Sequence, residues 1–159
     1  MSIKIIDNFL PNDYFEKLQS TMMGPFFPWH FNNGIVSPYD ENFQFTHMFY
    51  GDFEPKSNYF SMIFPIIEKF NPSSIVRSKA NLLVKTDQLV QYDFHSDHHD
   101  CITAILYVNS NNGKTIFKDG NEVESVANRI VIFDSNIEHT GTSCTDEKIR
   151  VVINFNYHI

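Results

Sequence analysis

Gln91-Tyr92-Asp93-Phe94-His95-Ser96-Asp97-His98 decides how this chain is read, and Ile137-Glu138-His139-Thr140-Gly141, much later, completes it. In an extended segment residues i and i+2 project to the same side, so His95 and Asp97 can share one bound ion. With His139 they spell His-x-Asp…His, two imidazoles and one carboxylate. That donor set holds a non-haem Fe(II) ion on one face and leaves the opposite positions open. The chain between Asp97 and His139 is long enough for several short strands before it returns to the same place. Taken alone, a polar run such as Asp93 to Asp100 is more often a solvated turn than a ligand set. Its weight comes from the segments around it.

Those segments alternate. In Cys101-Ile102-Thr103-Ala104-Ile105-Leu106-Tyr107-Val108-Asn109, Thr103, Ile105 and Tyr107 share one face and Ile102, Ala104, Leu106 and Val108 the other. In Lys148-Ile149-Arg150-Val151-Val152-Ile153-Asn154-Phe155-Asn156-Tyr157, Arg150, Val152, Asn154 and Asn156 fall together, opposite Val151, Ile153, Phe155 and Tyr157. From Ile75 onward the pattern predicts strands at about 75–84, 89–95, 101–108, 114–118, 122–127, 129–133, 136–140 and 147–157. Asn111-Asn112-Gly113 and Asp119-Gly120-Asn121 are the clearest turns, both of the kind that favours tight hairpins. Eight short strands in this order suit a double-stranded β-helix, the cupin-like jelly roll of two packed antiparallel sheets.

The first half flanks that core. Ile3–Ile6 reads as a short strand, and Asp7-Asn8-Phe9-Leu10-Pro11 leads into a helix through about residue 23, with Tyr14, Phe15, Leu18 and Met22 at helical spacing. Gly24-Pro25 ends it. Strands are expected near 28–36 and 43–50, and a second helix near 56–70, kinked or shifted in its start by Pro65. The aromatic run Phe26, Phe27, Trp29 and Phe31 is either a substrate cradle or packing onto the barrel, and packing is the better account because aromatics dominate cores whatever the function. The expected organisation is one domain spanning 1–159, mainly β with flanking helices: 1–74 supplies helices and aromatic-rich strands, 75–159 the core with the metal site.

The chain has 159 residues, enough for a sizeable core. A formal charge of −7 argues against a nucleic-acid backbone as partner, since neutralising phosphates needs a basic face and only a small patch such as Arg77, Lys79 and Lys85 is visible. No apolar run approaches the length of a membrane span, and Met1-Ser2-Ile3-Lys4 does not open a signal peptide. Cys101 and Cys144 make no disulfide framework and fit reduced thiols in a cytoplasmic protein.

Taken together these segments resemble the Fe(II)/2-oxoglutarate-dependent dioxygenases, particularly their prolyl 4-hydroxylase-like branch. The resemblance is good over residues 75–157 and general before them. It implies that His95, Asp97 and His139 bind Fe(II), and that Arg150, shortly after the distal histidine, anchors the far carboxylate of 2-oxoglutarate. An arginine fork matches a carboxylate in two places. The family's Arg-x-Lys-x-Asn-Leu-like strand is similar to Arg77-Ser78-Lys79-Ala80-Asn81-Leu82, and Tyr107 matches the tyrosine that bonds the same carboxylate. Asn81, Asn154 and Asn156 are further candidates for lining the cosubstrate pocket. One position departs: Leu83 or its neighbours stand where prolyl hydroxylases often carry a cosubstrate-binding tyrosine.

The implied reaction uses O2 and 2-oxoglutarate, with ascorbate as a supporting reductant. It releases succinate and carbon dioxide and hydroxylates a peptide (prolyl-type) or small-molecule substrate. Two other classes are weighed against it. A jelly roll that binds metal or ligand without turnover would explain the missing tyrosine. A cupin-type metalloenzyme independent of 2-oxoglutarate usually has His-x-His and a later glutamate, which Asp97 contradicts. Among individual residues, Lys148 and Arg129 rival Arg150 as anchor, His158 rivals His139, and His98 and His99 are read as bystanders.

Overall fold

A computed structural model describes residues 2–159. The alternating segments of the second half form β5 (Ser74–Val84), β6 (Ile102–Tyr107), β7 (Lys114–Phe117), β8 (Glu122–Glu124), β9 (Ile130–Asp134), β10 (His139–Gly141) and β11 (Ile149–His158). The first half adds β1 (Lys4–Ile6), β2 (His30–Asn33), β3 (Phe43–Gly51) and β4 (Glu54–Pro55), with helices α1 (Asn12–Met22) and α2 (Phe64–Phe70). A large antiparallel sheet runs β1-β9-β6-β11-β5-β3-β2, with β4 beside β3, and a small one runs β10-β7-β8. This is the double-stranded β-helix with flanking helices that the strand pattern predicts.

Period-two alternation sorts the side chains of the large sheet between two environments. Its outer face presents Ala80, Leu82, Ala104, Leu106, Val151, Ile153 and Phe155 to the helices, where Phe15, Leu18 and Met22 of α1 and Ile66 of α2 complete the main core. Its inner face turns Ile105, Tyr107, Val131, Phe133 and Val152 toward Phe117 and Val123 of the small sheet, making a second core between the sheets. Asn128 ties the N-terminal segment to the barrel: its amide accepts from the Leu10 N–H at 2.9 Å and donates to the Leu10 carbonyl at 2.8 Å.

Two local features depart from the sequence expectation and two follow it, each for an identifiable cause. Asn112-Gly113 is no hairpin, because β6 and β7 lie in different sheets and the segment crosses between them. Asp119-Gly120-Asn121 does close one, joining β7 to β8 with Gly120 at φ 92°. The segment 89–95 keeps only two bridges, Gln91 to Thr142 and His95 to His139, since Asp93 within it and Asp97 just after it disfavour a regular ladder. Pro65 shifts rather than kinks the second helix: a 3-10 turn occupies Phe60–Ile63, and the proline sits in the first turn of α2, where its missing N–H is not needed.

Of the aromatic run in the first half, Phe27 and Trp29 pack into the core, whereas Phe26 and Phe31 are largely exposed. Phe27 is 6 % exposed, with Trp29, His47, Phe49 and Tyr59 around its ring, and the Trp29 indole N–H donates to the Met22 carbonyl at 3.2 Å. Among the described residues no helix is long and apolar enough to cross a membrane. Truncating Phe27 removes the centre of this cluster. Phe27→Ala is expected to lower unfolding free energy by about 3–5 kcal/mol in a denaturant titration. A loss below about 1 kcal/mol, within the range of ordinary surface substitutions, would show that the cluster is not part of the core.

Candidate metal centre

His95 and His139 face each other across an isolated antiparallel bridge and exchange both backbone hydrogen bonds, at 3.0 and 2.9 Å. That pairing places two imidazoles distant in sequence side by side, with ring centroids 4.8 Å apart. The Asp97 N–H donates to the Ser135 carbonyl at 3.2 Å, which holds the carboxylate next to them. One ligand atom from each of His95, Asp97 and His139 lies within 4.8 Å of the others. The Nδ1 atoms of His95 and His139 point at the carbonyls of Asp93 and Ile137, at 3.4 and 3.0 Å, so each ring presents Nε2 to the centre. Such backbone contacts fix the tautomer that a metal-binding imidazole needs.

Asp97 is held from behind. Its Oδ2 accepts from Thr103 Oγ1 at 3.0 Å and Asn156 Nδ2 at 3.2 Å, and its Oδ1 from Arg77 at 3.4 Å. Arg77 also donates to Asn156 Oδ1 at 3.1 Å, so strands β5, β6 and β11 converge on one carboxylate. Burial alone would raise the Asp97 pKa, but His139, Arg77, Asn156 and His95 outweigh it and hold the group below the usual carboxylate range. Burial pushes the His139 pKa down, against the opposing pull of Asp97 and the Ile137 carbonyl. A neutral imidazole and an ionised carboxylate are the forms a metal requires.

The triad occupies one end of a cavity of about 370 Å³ between the two sheets, and Arg150 lines the same cavity. Arg150 is 4 % exposed. Its Nε donates to Ser125 Oγ at 2.9 Å and one terminal nitrogen reaches Thr115 Oγ1 at 3.5 Å. Among the described residues it has no carboxylate partner. Burial lowers its pKa, and the groups that offset this are Tyr107, Cys144 and Tyr92, none of them a carboxylate. Two glycines make room for it. A Cβ on Gly113 would stand 2.5 Å from Arg150 Cδ, and one on Gly141 would stand 3.4 Å from a terminal nitrogen. An unneutralised guanidinium this deeply buried is costly unless an anion joins it.

The remaining sequence candidates separate cleanly. Asn81 and Asn154 line the cavity, and the Oδ1 of each is buried without a hydrogen-bond partner, as expected of groups that await a ligand. Leu83 also lines it, directly opposite Arg150 in the β5–β11 register. Tyr107 is fully buried behind the wall: its hydroxyl donates to Thr115 Oγ1 at 2.7 Å, and Thr115 is the residue that faces the cavity. Lys148 is exposed just before β11, and Arg129 pairs with Asp7 at 2.6 Å on the far side of the barrel. His158 is exposed and meets Ser74, while His99 meets Asn136. His98 lines the cavity at its metal end. Ile35, Val36, Gln44 and Tyr92 also reach the cavity, from loops or flanking strands whose approach no periodicity signals.

If the three ligand atoms act as one site, removing any of them should empty it. His139→Ala and Asp97→Ala are each expected to lower Co(II) or Fe(II) affinity at least about tenfold, since losing even a residue that only orients a ligand costs about that much, measured by equilibrium dialysis against the unaltered protein. Metal retained at full stoichiometry and affinity in both variants would place the ion elsewhere.

No protein-family model matches the sequence, and no curated protein matches it. Solved structures do. A prolyl-4-hydroxylase from Pseudomonas putida superposes with a TM-score of 0.67 at 13% identity, covering 99% of this chain and 92% of that one. A prolyl hydroxylase from Trichoplax adhaerens, in complex with a peptide fragment of the hypoxia inducible factor oxygen degradation domain, gives 0.65 at 15% identity, covering 98% and 83%. The non-haem α-ketoglutarate-dependent epimerase SnoN of nogalamycin biosynthesis gives 0.69 at 12% identity, covering 98% and 76%. In fold, the chain is similar to the prolyl hydroxylases and other 2-oxoglutarate-Fe(II) oxygenases over nearly its whole length.

Proposed function

We propose that this protein is a non-haem Fe(II)- and 2-oxoglutarate-dependent oxygenase of the prolyl 4-hydroxylase-like branch, acting as a single catalytic domain. The observation that carries the proposal is the cavity's polarity. A His-Asp-His ligand set stands at one end and a buried, unneutralised arginine at the other. A dicarboxylate that chelates through its keto-acid end satisfies both at once.

Each residue then has a task. His95, Asp97 and His139 would hold the ion, and Thr103, Asn156 and Arg77 fix the rotamer of Asp97. Arg150 would bind the far carboxylate, helped by the Thr115 hydroxyl, which Tyr107 orients from behind. This differs from the direct contact that the family resemblance implies for Tyr107. The amides of Asn81 and Asn154 offer unused polar atoms along the wall between the two ends. Leu83, Ile105 and Val152 line the cavity with apolar surface that excludes water. With Fe(II), 2-oxoglutarate and O2 bound, oxidative decarboxylation supplies the oxidising power, yielding succinate and carbon dioxide as the substrate is hydroxylated.

The similar structures point to two substrate classes. The Trichoplax enzyme holds a peptide, whereas the epimerase of nogalamycin biosynthesis supports a small molecule. Both free cysteines are buried, which suits a reducing, cytoplasmic setting in which ascorbate would help keep iron ferrous. Leu83, in the place of a tyrosine, favours a second reading: a jelly roll that binds these ligands without turnover. Succinate formation in the absence of substrate separates the two.

The anchor provides the test. Arg150→Ala is expected to weaken 2-oxoglutarate binding about ten- to hundredfold, the loss of a hydrogen bond to a charged group, with metal affinity retained. Exposed Lys148→Ala should change neither. Isothermal titration of the Mn(II)-loaded protein reads both variants, and the reverse pattern would mean that the anchor has been misassigned.

A further inference from the structure

Resting on the oxygenase reading above, we infer that Lys79, beside Arg77 and His98 at the metal end of the cavity, forms a subsite for a carboxylate carried by the substrate. The substrate class that follows is a small carboxylic acid.

Position comes first. Arg77, Lys79, Asn81 and Leu83 share the inner face of β5 and all line the cavity. In the register with β11, Leu83 stands opposite Arg150 and Lys79 opposite Asn154. Four residues of strand separate those two levels, about 13 Å at the usual rise. Along the inner face of β5, Lys79 is the next residue after Arg77, whose guanidinium bonds Asp97, and lies two inward positions from Leu83 opposite Arg150, so it belongs to the metal end. Lys79 is half-buried, yet it forms no ion pair among the described residues, and no hydrogen bond contributes to its electrostatic balance.

Charge comes second. Asp97 is the only acidic residue among those lining the cavity, against Arg77, Lys79 and Arg150. A bound Fe(II) would offset Asp97 and one carboxylate of 2-oxoglutarate, and Arg150 would offset the other. Lys79 is then left without an anion of its own, and Arg77 shares its only one, Asp97, with the ion. Neither end of the cosubstrate needs them, because one carboxylate is on the metal and the other on Arg150. A buried excess of positive charge favours a ligand that brings negative charge with it. The cavity volume of about 370 Å³ lies at the small end of ligand pockets, which suits a compact acid beside the cosubstrate better than the interior of a peptide chain.

The experiment uses the full chain loaded with Mn(II), whose paramagnetism broadens the NMR signals of ligands bound near it. 2-Oxoglutarate is added first, and its own broadening tests the oxygenase reading separately. A panel of small carboxylic and amino acids, each matched with its carboxamide, is then titrated. Acids are expected to be broadened and their carboxamides not. Lys79→Met should weaken the acids at least about tenfold, Lys79→Arg should restore them, and 2-oxoglutarate should still bind to both. The inference is overturned if carboxamides are broadened as strongly as acids, if no acid is broadened at all, or if Lys79→Met leaves the acids unchanged. It is equally overturned if that variant loses 2-oxoglutarate instead, since Lys79 would then hold the cosubstrate's own keto-acid carboxylate.

Discussion

Strand β11 lies at the centre of the large sheet, paired with β5 on one side and β6 on the other, and its register sets everything else. Side chains alternate strictly along it. Val151, Ile153 and Phe155 enter the core beneath the helices, while Arg150, Val152 and Asn154 line the cavity and Asn156 braces Asp97. A slip of one residue would exchange the two sets, burying a guanidinium and two amides among phenylalanines and isoleucines. The apolar face therefore enforces the polar one. The energy that fixes the register is mostly hydrophobic, and the position of Arg150 is its consequence.

The placing of His95, Asp97 and His139 depends on the second sheet. The histidines become neighbours because segment 91–95 joins the edge of β10 by only two bridges, the second being the His95–His139 pair itself. A regular strand there would have bound the following residues into the ladder. Instead the chain turns away, and the N–H of Asp97 is free to find the Ser135 carbonyl. The three braces on Asp97 come from three different strands of the large sheet, so the metal end is the point where the two sheets are locked together.

Much of this was legible in the sequence wherever chemistry coincided with alternation. The inner face of β11 follows from parity and the triad from residue type and spacing, and the structure brings the triad, Arg150, Val152 and Asn154 to one cavity, while Asn156 stays behind it on Asp97. Parity could not show which inward residues reach the cavity and which stop behind its wall. Tyr107 lies on the correct face but spends its hydroxyl on Thr115, and only the packing of β7 against β6 reveals that. Gly113 was read as turn geometry, whereas its lack of a side chain makes room for Arg150. Ile35, Val36 and Tyr92 arrive on non-repetitive segments, where no period exists to be read.

On the proposed reading one dicarboxylate bridges the His95–Asp97–His139 cluster and Arg150. That bridging is tested most directly by a crystal structure of the protein soaked anaerobically with Mn(II) and 2-oxoglutarate. The ion is expected on His95, Asp97 and His139, the keto-acid end of the cosubstrate on the ion, and its far carboxylate on the Arg150 guanidinium. An ion bound away from that triad, or a cosubstrate that leaves Arg150 without an anion, would contradict it.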